Sequence, residues 1–177
     1  NPQQFWQESG KLSSEHDASE ILCYMKQMID EAKAKGVHLT KENFRKFGSM
    51  VQLYPGVKEW FQLINKYGEM KGLDIVHYIN SSGLTEMIEG TEIYNEFAKV
   101  YACSFIYENN EAVWPAVAVD YTAKTQFLFK INKGVHSISD HTLVNQFIPE
   151  DERPVPFSRM IYFGDGETDV PCMKIVK

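Results

Sequence analysis

Residues 160–171 read Met-Ile-Tyr-Phe-Gly-Asp-Gly-Glu-Thr-Asp-Val-Pro, an apolar run that breaks into two glycines and two spaced aspartates. Asp165 and Asp169 place carboxylates where a strand gives way to a helix, and the glycines flanking Asp165 let the backbone turn sharply and approach a ligand. Such a turn suits a hard cation. Two other uses of the segment fail on its residues. A dinucleotide-binding turn needs glycine or alanine where Asp169 stands, and Asp165 would repel a pyrophosphate. A calcium loop starting at Asp165 needs glycine at its sixth position and glutamate at its twelfth, where Val170 and Val176 stand. An ordinary solvated surface turn is the plain alternative.

Two more segments carry groups that could act on an anion. In Ile79-Asn80-Ser81-Ser82-Gly83, the Ser81 hydroxyl and the amides of Ser82 and Gly83, expected to open a helix, make a candidate cradle for phosphate oxygens. A serine there also serves as a simple helix cap. Lys124 falls in the first turn of a helix that Thr122 can cap, where the macrodipole disfavours a cation. Its placement therefore asks for a compensating anion, the alternative being a solvated lysine.

These groups need a frame. Ser13 and Ser14 can cap a helix with Ile21, Leu22, Met25, Met28, Ile29 and Ala32 on one face, which Gly36 can end. Thr40 can cap a second helix carrying Phe44 and Phe47, and Pro55 opens a third with Val57, Trp60, Phe61 and Ile64 inward. A strand is expected over Ile75–Ile79, with a helix from about Leu84. Residues 100–107 and 113–119 flank Asn109-Asn110 as a hairpin, its second arm made an edge or irregular strand by Pro115. The helix of Lys124, Phe127, Leu128 and Ile131 ends near Gly134, and a polar connection bearing Pro149, Pro154 and Pro156 leads to a strand at 159–163. Helices and strands alternate from residue 55 onward, which predicts an α/β fold with a parallel sheet. In such a sheet, turns at the carboxyl ends of neighbouring strands share one crevice.

At 177 residues and 44% hydrophobic content, the chain can bury a real core as one domain, or one domain and a small appendage. A formal charge of -6 with no basic run argues against nucleic acid or an anionic membrane as principal partner. Three unpatterned cysteines fit reduced thiols in a cytoplasmic setting. No apolar run approaches membrane-spanning length. Oligomeric state leaves no signature in the sequence.

Taken in order, the Asn80–Gly83 segment, Thr122-Ala123-Lys124 and Gly164-Asp165-Gly166-Glu167-Thr168-Asp169 resemble the haloacid dehalogenase (HAD) superfamily, most closely its phosphoserine-phosphatase-like branch. The resemblance covers roughly residues 55–177 and rests chiefly on the last motif. It implies a Rossmann-like core, Mg²⁺, and hydrolysis of phosphomonoesters of small phosphorylated metabolites through an aspartyl-phosphate. By the same resemblance Ser81, with Ser82 and Gly83, binds the phosphoryl group. Lys124 offsets charge on the phosphoryl oxygens and the nucleophile, Asp165 ligates the metal, and Asp169 supports the metal site. Residues 1–53 become a helical cap and 54–177 an incomplete core.

The family's nucleophile belongs to an Asp-x-Asp segment, and no such segment occurs in these residues. The resemblance therefore implies a fragment of a longer enzyme, inactive by itself, or a relative that holds metal and phosphate without turnover. A dehalogenase or phosphotransferase on the same fold is a third reading, and the metal-type aspartates speak against dehalogenation.

Overall fold

The computed structural model describes residues 1–176 and divides the chain into two compact units, Asn1–Ala118 and Val119–Lys177. Among the described residues there are eight α-helices and three strands, a mixed α/β arrangement compatible with a Rossmann-like fold. The division falls after the hairpin, and the expected boundary at 53/54 lies inside the first unit.

The first unit opens with two helices, α1 (Pro2–His16) and α2 (Glu20–Lys35), packed on each other. Asn1 caps α1 by accepting from the Gln3 amide, and Pro2 occupies the first helical turn, where a missing N–H costs nothing. Ser13 and Ser14 lie within α1, contrary to the capping role read from the sequence. The Ser13 hydroxyl instead donates to the Ala18 carbonyl beyond the helix end, at 2.6 Å. Ser19 is the cap of α2, accepting from the Leu22 amide, and Gly36 ends that helix in the left-handed conformation as expected. Helix α3 (Lys41–Gly48) starts at Thr40, whose hydroxyl accepts from the Asn43 amide at 3.1 Å. Helix α4 (Val57–Met70) follows the Pro55-Gly56 turn and buries Phe61.

Strand β1 (His77–Leu84) runs parallel to β2 (Phe97–Glu108), which turns back antiparallel into β3 (Glu111–Val117). The sheet thus contains one parallel and one antiparallel pairing, where the alternation of elements predicted a parallel sheet. Asn109 and Asn110 both take positive φ, 50° and 66°, the backbone that a tight two-residue hairpin demands. Pro115 sits opposite Phe105 on the outer strand, where a lost N–H breaks no ladder. His77 packs against α4, its ring edge-on to Phe61 and hydrogen-bonded to Asn65, so it is a half-buried packing residue. Residues 1–53 rest directly on this sheet. Helix α2 packs against β3, the Ala112 amide donates to the Leu39 carbonyl, and Phe44 stacks on Phe105 with ring centroids 5.8 Å apart.

The short helix α5 (Thr85–Glu89) crosses α3 at very close range. A Cβ on Gly48 would fall 1.8 Å from the Met87 carbonyl oxygen, a backbone atom that cannot move aside.

In the second unit, α6 (Ala123–Asn132) buries Phe127, Leu128 and Ile131, and α8 (Val170–Ile175) packs against it. Two polar residues of α6 and its C-cap Lys133 fasten the long connection that follows, which includes α7 (Thr142–Asn145). The Lys130 ammonium donates to the Ser137 and Asp140 carbonyls, Lys133 donates to those of Val144 and Gln146, and the Asn132 amide donates to Val155. No strand forms over 159–163. Residues 157–159 make a 3₁₀ turn, and the stretch after it joins no ladder among the described residues. The apolar sequence is suited to a strand, but a strand exists only when another backbone supplies its hydrogen bonds. Ile161 and Phe163 accordingly stand exposed, at 82% and 75%.

Gly48→Ala is expected to destabilise the first unit by about 1–3 kcal/mol through this overpacking. Urea unfolding checks it, and an unchanged midpoint would mean that α3 and α5 separate without cost.

Candidate functional site

The turn after Phe163 is organised around one carboxylate. Asp169 closes the 3₁₀ turn Glu167–Asp169 and folds its side chain back over the turn that precedes it. Its Oδ2 accepts from the Gly166 amide at 3.2 Å, while its own amide donates to the Gly166 carbonyl at 3.0 Å. This reciprocal pairing satisfies an amide at the start of the turn and fixes the carboxylate in place. Gly164 has to be glycine for the same reason. A Cβ there would lie 2.5 Å from the Asp169 Cβ and 2.6 Å from its Cγ. Neither Gly164 nor Gly166 takes a positive φ, so the space that Gly164 leaves is filled by Asp169 rather than used for a left-handed turn.

Two donors converge on the other oxygen. The Lys124 ammonium donates to Asp169 Oδ1 at 2.7 Å, and the Tyr162 hydroxyl donates to the same atom at 2.7 Å. Lys124 and Asp169 are buried, at 5% and 6% exposure, which rules out a solvated lysine. The anion that the position of Lys124 in the first turn of α6 demands is therefore Asp169. Burial pushes the Asp169 carboxyl up. The hydrogen bonds from Lys124, Tyr162 and the Gly166 amide, with the lysine charge, outweigh burial and hold it below the usual carboxylate range. Tyr162 is pushed far up, by burial first and then by its bond to Asp169, so its hydroxyl remains a donor.

Asp165 sits at the same turn and is exposed to solvent. Among the described residues no three His, Cys, Asp or Glu side chains converge as metal ligands.

Ser81, Ser82 and Gly83 lie in the first unit, within a bulge of β1. Asn80 pairs with Tyr101 and Leu84 with Cys103, so four steps on β1 oppose two on β2. The helix opens only at Thr85, so the Ser82 and Gly83 amides belong to the bulge and not to a helix N-terminus. The Ser81 hydroxyl oxygen accepts from the Gly83 amide at 3.0 Å, which leaves its own hydrogen available to donate. The Ser82 carbonyl accepts from the Tyr24 hydroxyl at 3.0 Å and from the Cys103 thiol, pinning the bulge to α2 and β2.

The structure thus brings Lys124 and Asp169 together and keeps Asp165 four residues away on open backbone. Tyr162 was not foreseen from the sequence. Its signal is the period-two alternation of 160–163, which turns Met160 and Tyr162 inward and Ile161 and Phe163 outward.

Residues 6–177 match the family described as "Putative Phosphatase". The chain belongs to that family. Membership supports a phosphatase. An uncharacterized protein of Borreliella burgdorferi is 33% identical over 147 residues, covering 75% of this chain and 48% of the relative. The chain therefore spans about half the length of the curated relative it matches. No solved structure matches it. Among the described residues no helix is long and apolar enough to cross a membrane.

Asp169→Asn is expected to cost about 3–5 kcal/mol at neutral pH, because it leaves the Lys124 ammonium buried without the carboxylate. The folded carboxyl lies below its unfolded value, so its contribution is complete above about pH 4 and drains away as the pH falls through the folded value. Urea unfolding across pH should show that acid limb flattened in the variant. An unaltered limb would assign the acid sensitivity to other carboxylates.

Proposed function

We propose that the protein carrying this chain is a Mg²⁺-dependent, HAD-type phosphatase that hydrolyses phosphomonoesters of small phosphorylated metabolites through an aspartyl-phosphate. The observation that carries this reading is the buried Lys124–Asp169 pair at a turn that presents Asp165 to solvent. Family membership supports the phosphatase; the metal, the substrate class and the HAD mechanism rest on the motifs.

Phosphoryl transfer asks little covalent chemistry of a protein and much positioning of charge. Lys124 brings a fixed cation for the negative charge of the phosphoryl oxygens and the nucleophile. On the motif resemblance alone, Ser81, with Ser82 and Gly83, is assigned to phosphoryl binding; its hydroxyl oxygen already accepts from the Gly83 amide, which leaves the hydrogen to donate. Asp165 is the carboxylate that would hold Mg²⁺. Asp169, with both oxygens occupied by Lys124, Tyr162 and Gly166, would support the ion through water. Bound Mg²⁺ would draw charge from the phosphoryl oxygens. The attacking carboxylate is assigned to an Asp-x-Asp segment of the whole protein, since these 177 residues contain none. Cys23, Cys103 and Cys172 are buried thiols, none in a disulfide among the described residues, which fits a reducing, cytoplasmic setting.

The full-length protein is expected to hydrolyse p-nitrophenyl phosphate with Mg²⁺ and to stop when the metal is chelated. Binding of Mg²⁺ and phosphate without turnover would instead indicate a non-catalytic binding protein. Asp165→Asn should weaken Mg²⁺ binding and remove most activity, and near-wild-type turnover would take Asp165 out of the metal site. Lys124→Ala should raise the barrier by about 3 kcal/mol, roughly a hundredfold in kcat. A loss smaller than about threefold would contradict its charge-stabilising role.

A further inference from the structure

We infer that Tyr162 is a positioning residue for the phosphatase chemistry: its hydroxyl locks the Asp169 carboxylate, and through it the Lys124 ammonium. The geometry points to this assignment because two donors of different stiffness share Asp169 Oδ1, each at 2.7 Å. Lysine reaches the carboxylate on a flexible four-carbon stem and by itself cannot hold the plane of the group it binds. A phenol is a rigid ring on two torsions. Tyr162 is half-buried, with the buried Cys172 beside its hydroxyl.

The second oxygen cannot do this work alone. Asp169 Oδ2 is held by the Gly166 amide at 3.2 Å, the longest of the three contacts. Removing the Tyr162 hydroxyl leaves Oδ1 on the ammonium and Oδ2 on this long bond, so the carboxylate is freer to turn about its last torsion. Lys124 then loses a fixed partner while keeping a charged one. The consequence is a cation that is present but poorly aimed, which lowers the rate of phosphoryl transfer while substrate binding stays the same. This kinetic part rests on the phosphatase reading; the restraint on Lys124 does not.

The test is Tyr162→Phe in the full-length protein, which keeps the ring and removes only the hydroxyl, beside Tyr162→Leu, which removes the ring. Three readouts are taken: thermal melting, kcat and KM for p-nitrophenyl phosphate, and acylation of the Lys124 amine by acetic anhydride, followed by peptide mass spectrometry. Tyr162→Phe is expected to stay folded and to melt several degrees below the wild type, well above Tyr162→Leu. Its kcat should drop about tenfold at unchanged KM, the scale of one hydrogen bond to a charged group, and Lys124 should acylate severalfold faster. A Tyr162→Phe protein with wild-type kcat and wild-type acylation, only Tyr162→Leu being impaired, would overturn the assignment and leave Tyr162 as packing. If the wild type itself shows no phosphatase turnover, the phosphatase reading falls, and the acylation rate still decides whether Tyr162 restrains Lys124.

Discussion

A carboxylate taken out of water has to be met by donors at every oxygen, and in the second unit the structure is arranged around meeting that demand for Asp169. Its desolvation is offset by a phenol and an amide of its own segment and by an ammonium from α6. That requirement explains why Lys124 tolerates an unfavourable helix position, why Gly164 carries no side chain, and why Gly166 opens a turn that closes on Asp169. Asp165 gains from the arrangement without contributing to it. With Asp169 engaged by internal donors, Asp165 and Glu167 are the carboxylates of the turn that remain turned to solvent.

The first unit solves a different problem, that of holding a polar bulge against a packed sheet. The extra residues of β1 at Ser81–Gly83 cannot pair with β2, so their groups find other partners: the Ser82 carbonyl on Tyr24 and Cys103, and the Gly83 amide on Ser81 itself. Behind them Tyr101 and Cys103 are fully buried. A serine that is stiff because its backbone is over-determined is a better donor than one at the tip of a free loop.

Much of this was readable where chemistry is local. Gly36, Thr40 and the Asn109-Asn110 pair act through backbone geometry that nearest neighbours dictate, and each performs as its residue type requires. The start of α2 is not legible from residue type, because Ser13, Ser14 and Ser19 are equally good caps. Which one caps depends on where the preceding helix stops, and Asp17 in the left-handed conformation sets that point. The apolar stretch before Gly164 carries the composition of a strand but has no ladder, because pairing is a property of two segments and composition of one. The anion beside Lys124 could be inferred as a need, and Asp169 was already marked for another role. Their union, and the part of Tyr162 in it, depends on an approach between residues 45 positions apart that periodicity does not encode.

The long connection after α6 shows what it means to order a segment with side chains instead of a backbone ladder. Its carbonyls at Ser137, Asp140, Val144 and Gln146 are met by the ammonium groups of Lys130 and Lys133. Pro149, Pro154 and Pro156 further along have no N–H to offer. Much of the order of this stretch therefore rests on two lysine amines, one in the last turn of α6 and one at its C-cap. Neutralising both, as by acetylation, would release several loops' worth of carbonyls at once and leave α6 itself intact, so this region is mechanically a clasp with two pins.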